Sequence, residues 1–536
     1  MEKNKKNWKE NWKMNLPQWL SFLLLGGTIL ALVLFVLFCM DNLMHSDMSA
    51  EVILSKLLAD ENKLVTKDWY YSTEIRIVYS QLIMMPLFKV FSSYKLVKQI
   101  SVFLFYVLLL VAGHRVMRQF KPDKKWEFLG FALIFAPLSN EYLDMMLLGC
   151  FYTSQMICTY LMLALFVKEK GTKKKWIGQS IVFALVALIL GLSGLRYLAS
   201  LYLPLCIAAG FVLFELEKGL TKESWKDDTV KNKIGLLGLA VLGLGSAGIG
   251  FLINKFYLAV HYSFDTTSEV SFVPLEDVPQ RFLTSIKLML EFFGYTQIQV
   301  MNPRGIVNAV KFVFFLFFIG VIIYLWKNRK TALQLKEQLL LYYFLACFFI
   351  NWYMLVFTDV LQQYRYWLPV YVAGVLLLVV FFKVYTPGNW IGKFCFVTIC
   401  VLVVLGSLYG ELWQDVKYND CEKRYGYMEF LEENSYDFGY ATFWNASVSE
   451  YLSNGSIHVA SLGLHDLEKP YEWLQPKAYY EEGFHEGKCF LLLANSEAAG
   501  MEKGDFTIME DPELVYQDEY YSIYEDDGGM YLFTEE

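Results

Sequence analysis

The feature that most constrains this chain is a succession of long apolar runs joined by short basic connections. Residues 19–40 pass through 22 positions without a charged side chain, enough to cross a hydrocarbon core as a helix rising about 1.5 Å per residue. Further runs follow near 99–117, 126–138, 149–167, 176–191, 197–214, 234–254, 306–326, 338–357, 366–384 and 391–411, so about eleven transmembrane helices are expected. With 56% hydrophobic residues and a mean hydropathy of +0.35, a water-soluble globule would leave apolar surface uncovered. A polytopic membrane protein turns it to lipid. No small-residue cleavage site follows the first run, which therefore reads as a retained signal anchor.

Charge orients the runs. Residues 1–17 carry Lys3, Lys5, Lys6, Lys9 and Lys13 with Trp8 and Trp12 between them, either an interfacial helix on anionic lipid or a plain positive-inside anchor. Both readings place this tail in the cytoplasm. The connections 115–125, 168–175, 215–233 and 327–336 are Lys/Arg-rich, whereas 139–148 has neither residue; the alternation predicts inner and outer loops in turn. The runs 126–138 and 176–191 are short and break at their outer ends in APLS and GLSG. Helices that stop inside a membrane usually line a cavity.

An odd number of helices leaves residues 412–536 outside. That segment holds 27 acidic and 7 basic residues, net −20, against +13 for the rest. Its short Tyr-, Phe- and Val-rich runs, broken by Gly, Asn, Asp and Pro, predict an α/β or β-rich extracytoplasmic domain after a helix over 418–433. Nothing in this charge pattern suggests a nucleic-acid surface. Only Cys421 and Cys489 lie in this part, the two that an oxidising compartment would allow to pair. No CxxC or His/Cys cluster points to zinc.

Candidate chemistry concentrates in outer loop 41–98. It places Asp47, Glu51 and Glu74 near the membrane surface, with Trp69, Tyr70 and Tyr71 between them. A helix over 48–62 would set Glu51 one turn after Asp47, on the same side. Burial by the aromatic residues would raise a carboxyl toward a useful base. The plainer reading makes Asp47 the cap of that helix and Glu51 a structural helix residue. His45 is a lone histidine beside Asp47. Arg196, in GLSGLRY (191–197), and Arg365, in QQYRYWLP (362–369) before Tyr366 and Trp367, stand at outer helix ends. An arginine at membrane depth costs about 2.5–3.5 kcal/mol, so each either snorkels to the headgroups or faces a cavity, where guanidinium matches phosphate. Outer loop 255–305, with Pro274 and Pro279 and a surface helix expected over 282–293, adds His261 and Arg304 as weaker candidates.

An acidic first loop with Asp47 just past the first helix, some eleven spans, a late Arg365-Tyr366 before Pro369 and an outer C-terminal domain together resemble the GT-C glycosyltransferases. The likeness is to protein O-mannosyltransferases, the bacterial aminoarabinose transferase and Rgt-like enzymes, and covers roughly residues 18–411. It implies transfer of a sugar from a polyprenyl-phosphate donor by inverting displacement, on the outer face of the cell membrane. Asp47 would be the base and Glu74 the second acid, with Arg196 and Arg365 on the phosphate. Glu51, Trp69, Tyr70 and Tyr366 would contact substrate. No cofactor is implied beyond a weak divalent-metal dependence, and the acceptor would be a cell-envelope glycan, lipid or protein. Ser46-Asp47-Met48 departs from the adjacent Asp-Glu of the protein mannosyltransferases, which argues against a protein acceptor. The competing readings are a lipid-linked glycan carrier or flippase, which favours mid-bilayer sites in repeated halves, and a non-catalytic scaffold centred on the outer domain.

Overall fold

The computed structural model describes residues 18–169, 171–215, 227–264, 270–385, 390–463, 467, 469–481, 483–499, 508–509 and 512–526. The expected basic tail 1–17 lies outside them, as do parts of the basic loops 168–175 and 215–233. Every expected apolar run is wholly or largely helical. Among the described residues eight helices are long and apolar enough to cross a membrane, nine if the pair 124–135 and 140–148, bent by 101°, counts as one span. The other two of the eleven expected runs are helices below that length. Thr153–Phe166 and Leu198–Phe214 are shorter apolar helices, because part of each run goes into turns and π-helical segments. The chain is a multi-pass membrane protein.

Labels follow chain order: α1 (Gln18–Phe38), α2 (Ser46–Glu61), β1 (Trp69–Tyr71), α3 (Tyr94–Phe120), α4 (Asp228–Ile253), β2 (Ser263–Phe264), α5 (Val278–Phe292), α6 (Glu422–Glu433), β3 (Phe438–Thr442), α7 (Phe443–Leu452), β4 (His458–Leu462), β5 (Gln475–Pro476), β6 (Cys489–Ala494), β7 (Glu513–Gln517) and β8 (Tyr521–Glu525). The expected breaks are present: helices end at Phe135 and Gly191, and π-helical segments follow at 143–148 and 198–202. Such widened turns often sit at functional sites. A third π segment begins at Asn254, whose amide donates to the carbonyls of Ile75 (3.2 Å) and Leu192 (2.7 Å) and so ties the first outer loop to the broken helix.

The C-terminal part is an α/β domain. Its sheet runs β4-β3-β6-β8-β7, with β3 parallel to β4 and β6 and the last two strands antiparallel. The alternation of β6 explains both faces. Phe490 and Leu492 pack with Tyr427 and Leu431 of α6, while Leu491 and Leu493 pack with Phe438 and Tyr479. The domain sits on the membrane part through α7, which packs on α2. Tyr451 donates to Asp41 at 3.2 Å, and Asn454 Oδ1 accepts from the Tyr94 N–H at 2.8 Å. The Cys421–Cys489 pair that an oxidising compartment would allow is not formed: all nine cysteines are free. Cys421 is buried with its thiol toward the Met44 carbonyl, whereas Cys489 stands on β6.

A second, three-stranded sheet has the order β2-β1-β5. It stitches the first outer loop, the long outer loop and the C-terminal domain together. The long loop is also clamped to the neighbouring helix end, where Arg281 of α5 donates to the carbonyls of Leu355 (3.2 Å) and Val360 (2.7 Å).

Candidate active site

The site is built outward from the first turn of α2. His45, in extended conformation, occupies the cap position, so Asp47 stands one step inside the helix and its carboxylate is not used for capping. Asp47 opens onto a cavity of about 590 Å³. The wall also includes Glu51, Arg76, Tyr152, Arg196, Arg365 and Tyr366, with Trp473 and Leu474 contributed by the C-terminal domain. No hydrogen bond or ion pair among the described residues holds the Asp47 carboxylate. Burial raises its pKa; the His45 charge opposes the rise and nearby Asp144 adds to it. Glu51 is also pushed up by burial, against the pull of Arg76 and of the Ser80 hydroxyl, which donates to it at 2.9 Å. For His45, burial alone would lower the value. The Asp144 carboxylate at 3.1 Å, helped by Asp47, reverses that and raises it.

Three guanidinium groups face the same space. Arg196 Nε lies 3.2 Å from Glu74 Oε1, and the group stands 5.3 Å over the Tyr152 ring. Arg76 is 4.0 Å from the same Glu74 oxygen and 4.8 Å over the Tyr79 ring. Arg365 reaches Glu141 at 3.8 Å. Each guanidinium carries five N–H donors, more than these partners take up, which leaves donors for an anionic ligand.

Glu74 is placed differently from its expected role. Its carboxylate accepts from the Leu195 N–H at 3.3 Å as well as pairing with Arg196 and Arg76, so it orients the cations from outside the cavity wall. This approach requires Gly194, at φ +91°: a Cβ there would come within 1.6 Å of Glu74 Oε2, a contact only glycine avoids.

Trp69 and Tyr70 do not line the cavity. β1 lies between β2 and β5, with Trp69 and Tyr71 buried on one face and Tyr70 on the other. Tyr70 instead lines a second cleft together with His261, and Arg304 is not among the cavity residues. Arg76, Glu141 and Asp144 are among the contributors that escaped the sequence reading. Arg76 stands two residues after Glu74, and its position was the available signal. Glu141 and Asp144 lie in the connection 139–148, noted there only for its lack of Lys and Arg. Among the described residues no group of three or more His, Cys, Asp or Glu is placed to hold a metal ion.

No protein-family model and no curated protein matches the sequence. Solved structures do. The crystal structure of ArnT from Cupriavidus metallidurans, bound to undecaprenyl phosphate, matches 95% of this chain and 98% of that one, at TM-score 0.55 and 10% identity. The chain shares the fold of this structure. An apo oligosaccharyltransferase from Archaeoglobus fulgidus is similar at TM-score 0.47 and 12% identity, over 90% of this chain and 70% of that one. The oligosaccharyltransferase AglB from the same organism, in complex with an inhibitory peptide and a dolichol-phosphate, is similar at 0.46 and 11%, over 87% and 69%. At 10% identity the likeness to ArnT is one of chain path, not of residues.

Proposed function

We propose that this protein is a glycosyltransferase that takes a sugar from a polyprenyl-phosphate donor and passes it to an acceptor hydroxyl at the outer face of the cell membrane. The observation that carries the reading is the single cavity that joins an unpartnered carboxylate, Asp47, to Arg76, Arg196 and Arg365. A GT-C fold shared with a protein crystallised with undecaprenyl phosphate supports it.

In this mechanism the donor phosphate lies among the guanidinium groups, which match phosphate oxygens through paired hydrogen bonds. The acceptor oxygen attacks the anomeric carbon from the side opposite the phosphate. The new C–O bond forms as the bond to the phosphate oxygen breaks, and the electron pair leaves on the polyprenyl phosphate, inverting the anomeric centre. Asp47 accepts the acceptor's hydroxyl proton. The arginines stabilise the charge that develops on the leaving phosphate, so guanidinium charge takes the place of a resident cation. Glu74 positions Arg196 and Arg76, while Glu51 and Tyr366 contact sugar or acceptor. The amino terminus is cytoplasmic and the C-terminal domain extracytoplasmic in this reading.

The test is reconstitution of the full chain in lipid vesicles with radiolabelled polyprenyl-phosphate sugars and a cell-envelope extract as acceptor. Transfer by the wild type and its loss in Asp47→Asn support the reading. Movement of intact labelled lipid between leaflets without transfer, unchanged in Asp47→Asn, would show a carrier instead and sink it.

A further inference from the structure

Behind the Asp47 cavity lies a second one. A cleft of about 730 Å³ runs between the segment 259–264 and the segment 471–473 of the C-terminal domain, and its wall includes Tyr70, His261, Tyr262, Tyr471, Glu472 and Trp473. Trp473 also belongs to the wall of the Asp47 cavity, so the two spaces meet at this residue. The wall is braced from behind. Tyr70 of β1 is paired with Gln475 of β5 and Ser263 of β2, its ring packs edge-on to Tyr480 at 6.0 Å, and the Lys477 ammonium lies 5.2 Å over its face. Lys477 in turn donates to Ser263 Oγ at 2.5 Å. Segments from three distant parts of the chain thus hold this cleft in one shape.

The chemistry of the lining selects among ligands. No arginine or lysine lines it, in contrast to the three guanidinium groups next door, so it is not built for phosphate. A lipid tail calls for walls such as those of the small cavity lined by Phe293, Phe315, Ile319, Phe348 and Trp367, which carries no polar lining residue except Tyr371. The cleft instead offers phenol hydroxyls, a carboxylate and an imidazole between aromatic faces. An extended peptide binds by pairing with a free strand edge; β1, which carries Tyr70, is the central strand with both edges taken, and only the two-residue strands β2 and β5 keep an outer edge. A pyranose ring fits this lining: its C–H faces stack on aromatic rings, and its hydroxyls donate to the carboxylate and imidazole.

We propose that the cleft bounded by Tyr70, Tyr471 and Trp473 is the binding subsite of a saccharide acceptor, which extends its reacting hydroxyl past Trp473 toward Asp47. The inference rests on the glycosyl-transfer reading of the Asp47 cavity and names its acceptor class. It is tested with the full chain in lipid nanodiscs on arrays of neutral hexose, N-acetylhexosamine and uronic-acid oligosaccharides, beside an array of extended peptides, with undecaprenyl phosphate binding measured in parallel. The expected result is retention on one class of saccharide. Tyr471→Ala and Glu472→Gln each weaken it at least tenfold and leave undecaprenyl phosphate binding within twofold. Tyr471→Leu keeps the bulk and loses the ring; Tyr471→Phe keeps the ring. The leucine variant should behave as the alanine one and the phenylalanine variant as wild type, which separates stacking from packing. Retention on peptides alone, or saccharide binding that survives Tyr471→Leu combined with Glu472→Gln, overturns the subsite while undecaprenyl phosphate binding leaves the Asp47 reading standing. A wild type that binds no undecaprenyl phosphate and transfers no sugar overturns both.

Discussion

Two of the protein's carboxylates, Glu450 and Asp47, are treated in opposite ways. In the C-terminal domain Glu450 is 1% exposed and fully engaged: the Tyr479 hydroxyl reaches its two oxygens at 2.8 Å each, and His458 Nδ1 lies 3.4 Å away. In the membrane-side cavity Asp47 is half-buried and has no such partner, although His45 and three guanidinium groups surround it. A buried charge with satisfied oxygens stabilises and rigidifies its surroundings. One left with open oxygens beside a cavity costs stability and is kept for reaction. The same side-chain chemistry therefore reads as architecture in one region and as mechanism in the other.

Substitution should separate the two. Asp47→Asn is expected to lower kcat by about 10²–10⁴-fold, the usual contribution of a general base, with a melting temperature that does not fall. Glu450→Gln should do the reverse, leaving kcat alone and lowering stability by about 1–3 kcal/mol through the disrupted Tyr479 and His458 contacts. If Glu450→Gln abolished transfer while Asp47→Asn did not, the contrast would be drawn the wrong way round.

Gly194→Ala probes the cavity's own architecture. By pushing Glu74 off the Leu195 N–H and moving Arg196, it should slow transfer by up to about 10²-fold, as small displacements in active sites do. Circular dichroism should show the helices intact, and an unaffected rate would mean that Glu74 positions nothing. Arg365→Ala is expected to raise the donor KM by roughly 10-fold, since a charged hydrogen bond is worth about 1.5–3 kcal/mol. A larger effect on acceptor than on donor KM would remove Arg365 from the phosphate.

The smallest effects are those of pH, and they too have opposite signs. Transfer needs Asp47 deprotonated, and burial raises its pKa, so the rate should climb with pH through a value above the ordinary aspartate range. A limb at or below about 3.9, the unperturbed value, would contradict the buried base. In the C-terminal domain His458 is raised by its contact with Glu450. Its stabilisation is therefore complete below the unfolded histidine value near 6.5 and is lost as pH rises through the higher folded value. Thermal melts across that window should record a decline that Glu450→Gln removes.

Much of this was legible in the residues. The expected helix over 48–62 is Ser46–Glu61, and the expected helix over 418–433 is Glu422–Glu433, because both follow from local sequence. The meeting of Asp47, Glu51, Arg196, Arg365 and Tyr366 on one cavity wall had only short motifs and helix ends to suggest it. Glu74 was misplaced because its partners, Arg196 and the Leu195 N–H, stand more than a hundred residues away. Trp69 and Tyr70 lie off the Asp47 cavity, Tyr70 facing the neighbouring cleft instead; three residues of strand do not reveal which face meets a sheet neighbour.

By itself, the sequence determined which stretches are long and apolar enough to cross a membrane and that an acidic α/β domain follows, since about twenty apolar residues per crossing is a local requirement of the bilayer. Only the tertiary structure decided which carboxylate stays open. Whether Asp47 or Glu74 finds an arginine depends on how helices far apart in the chain pack at their broken ends, and no stretch of sequence carries that distance.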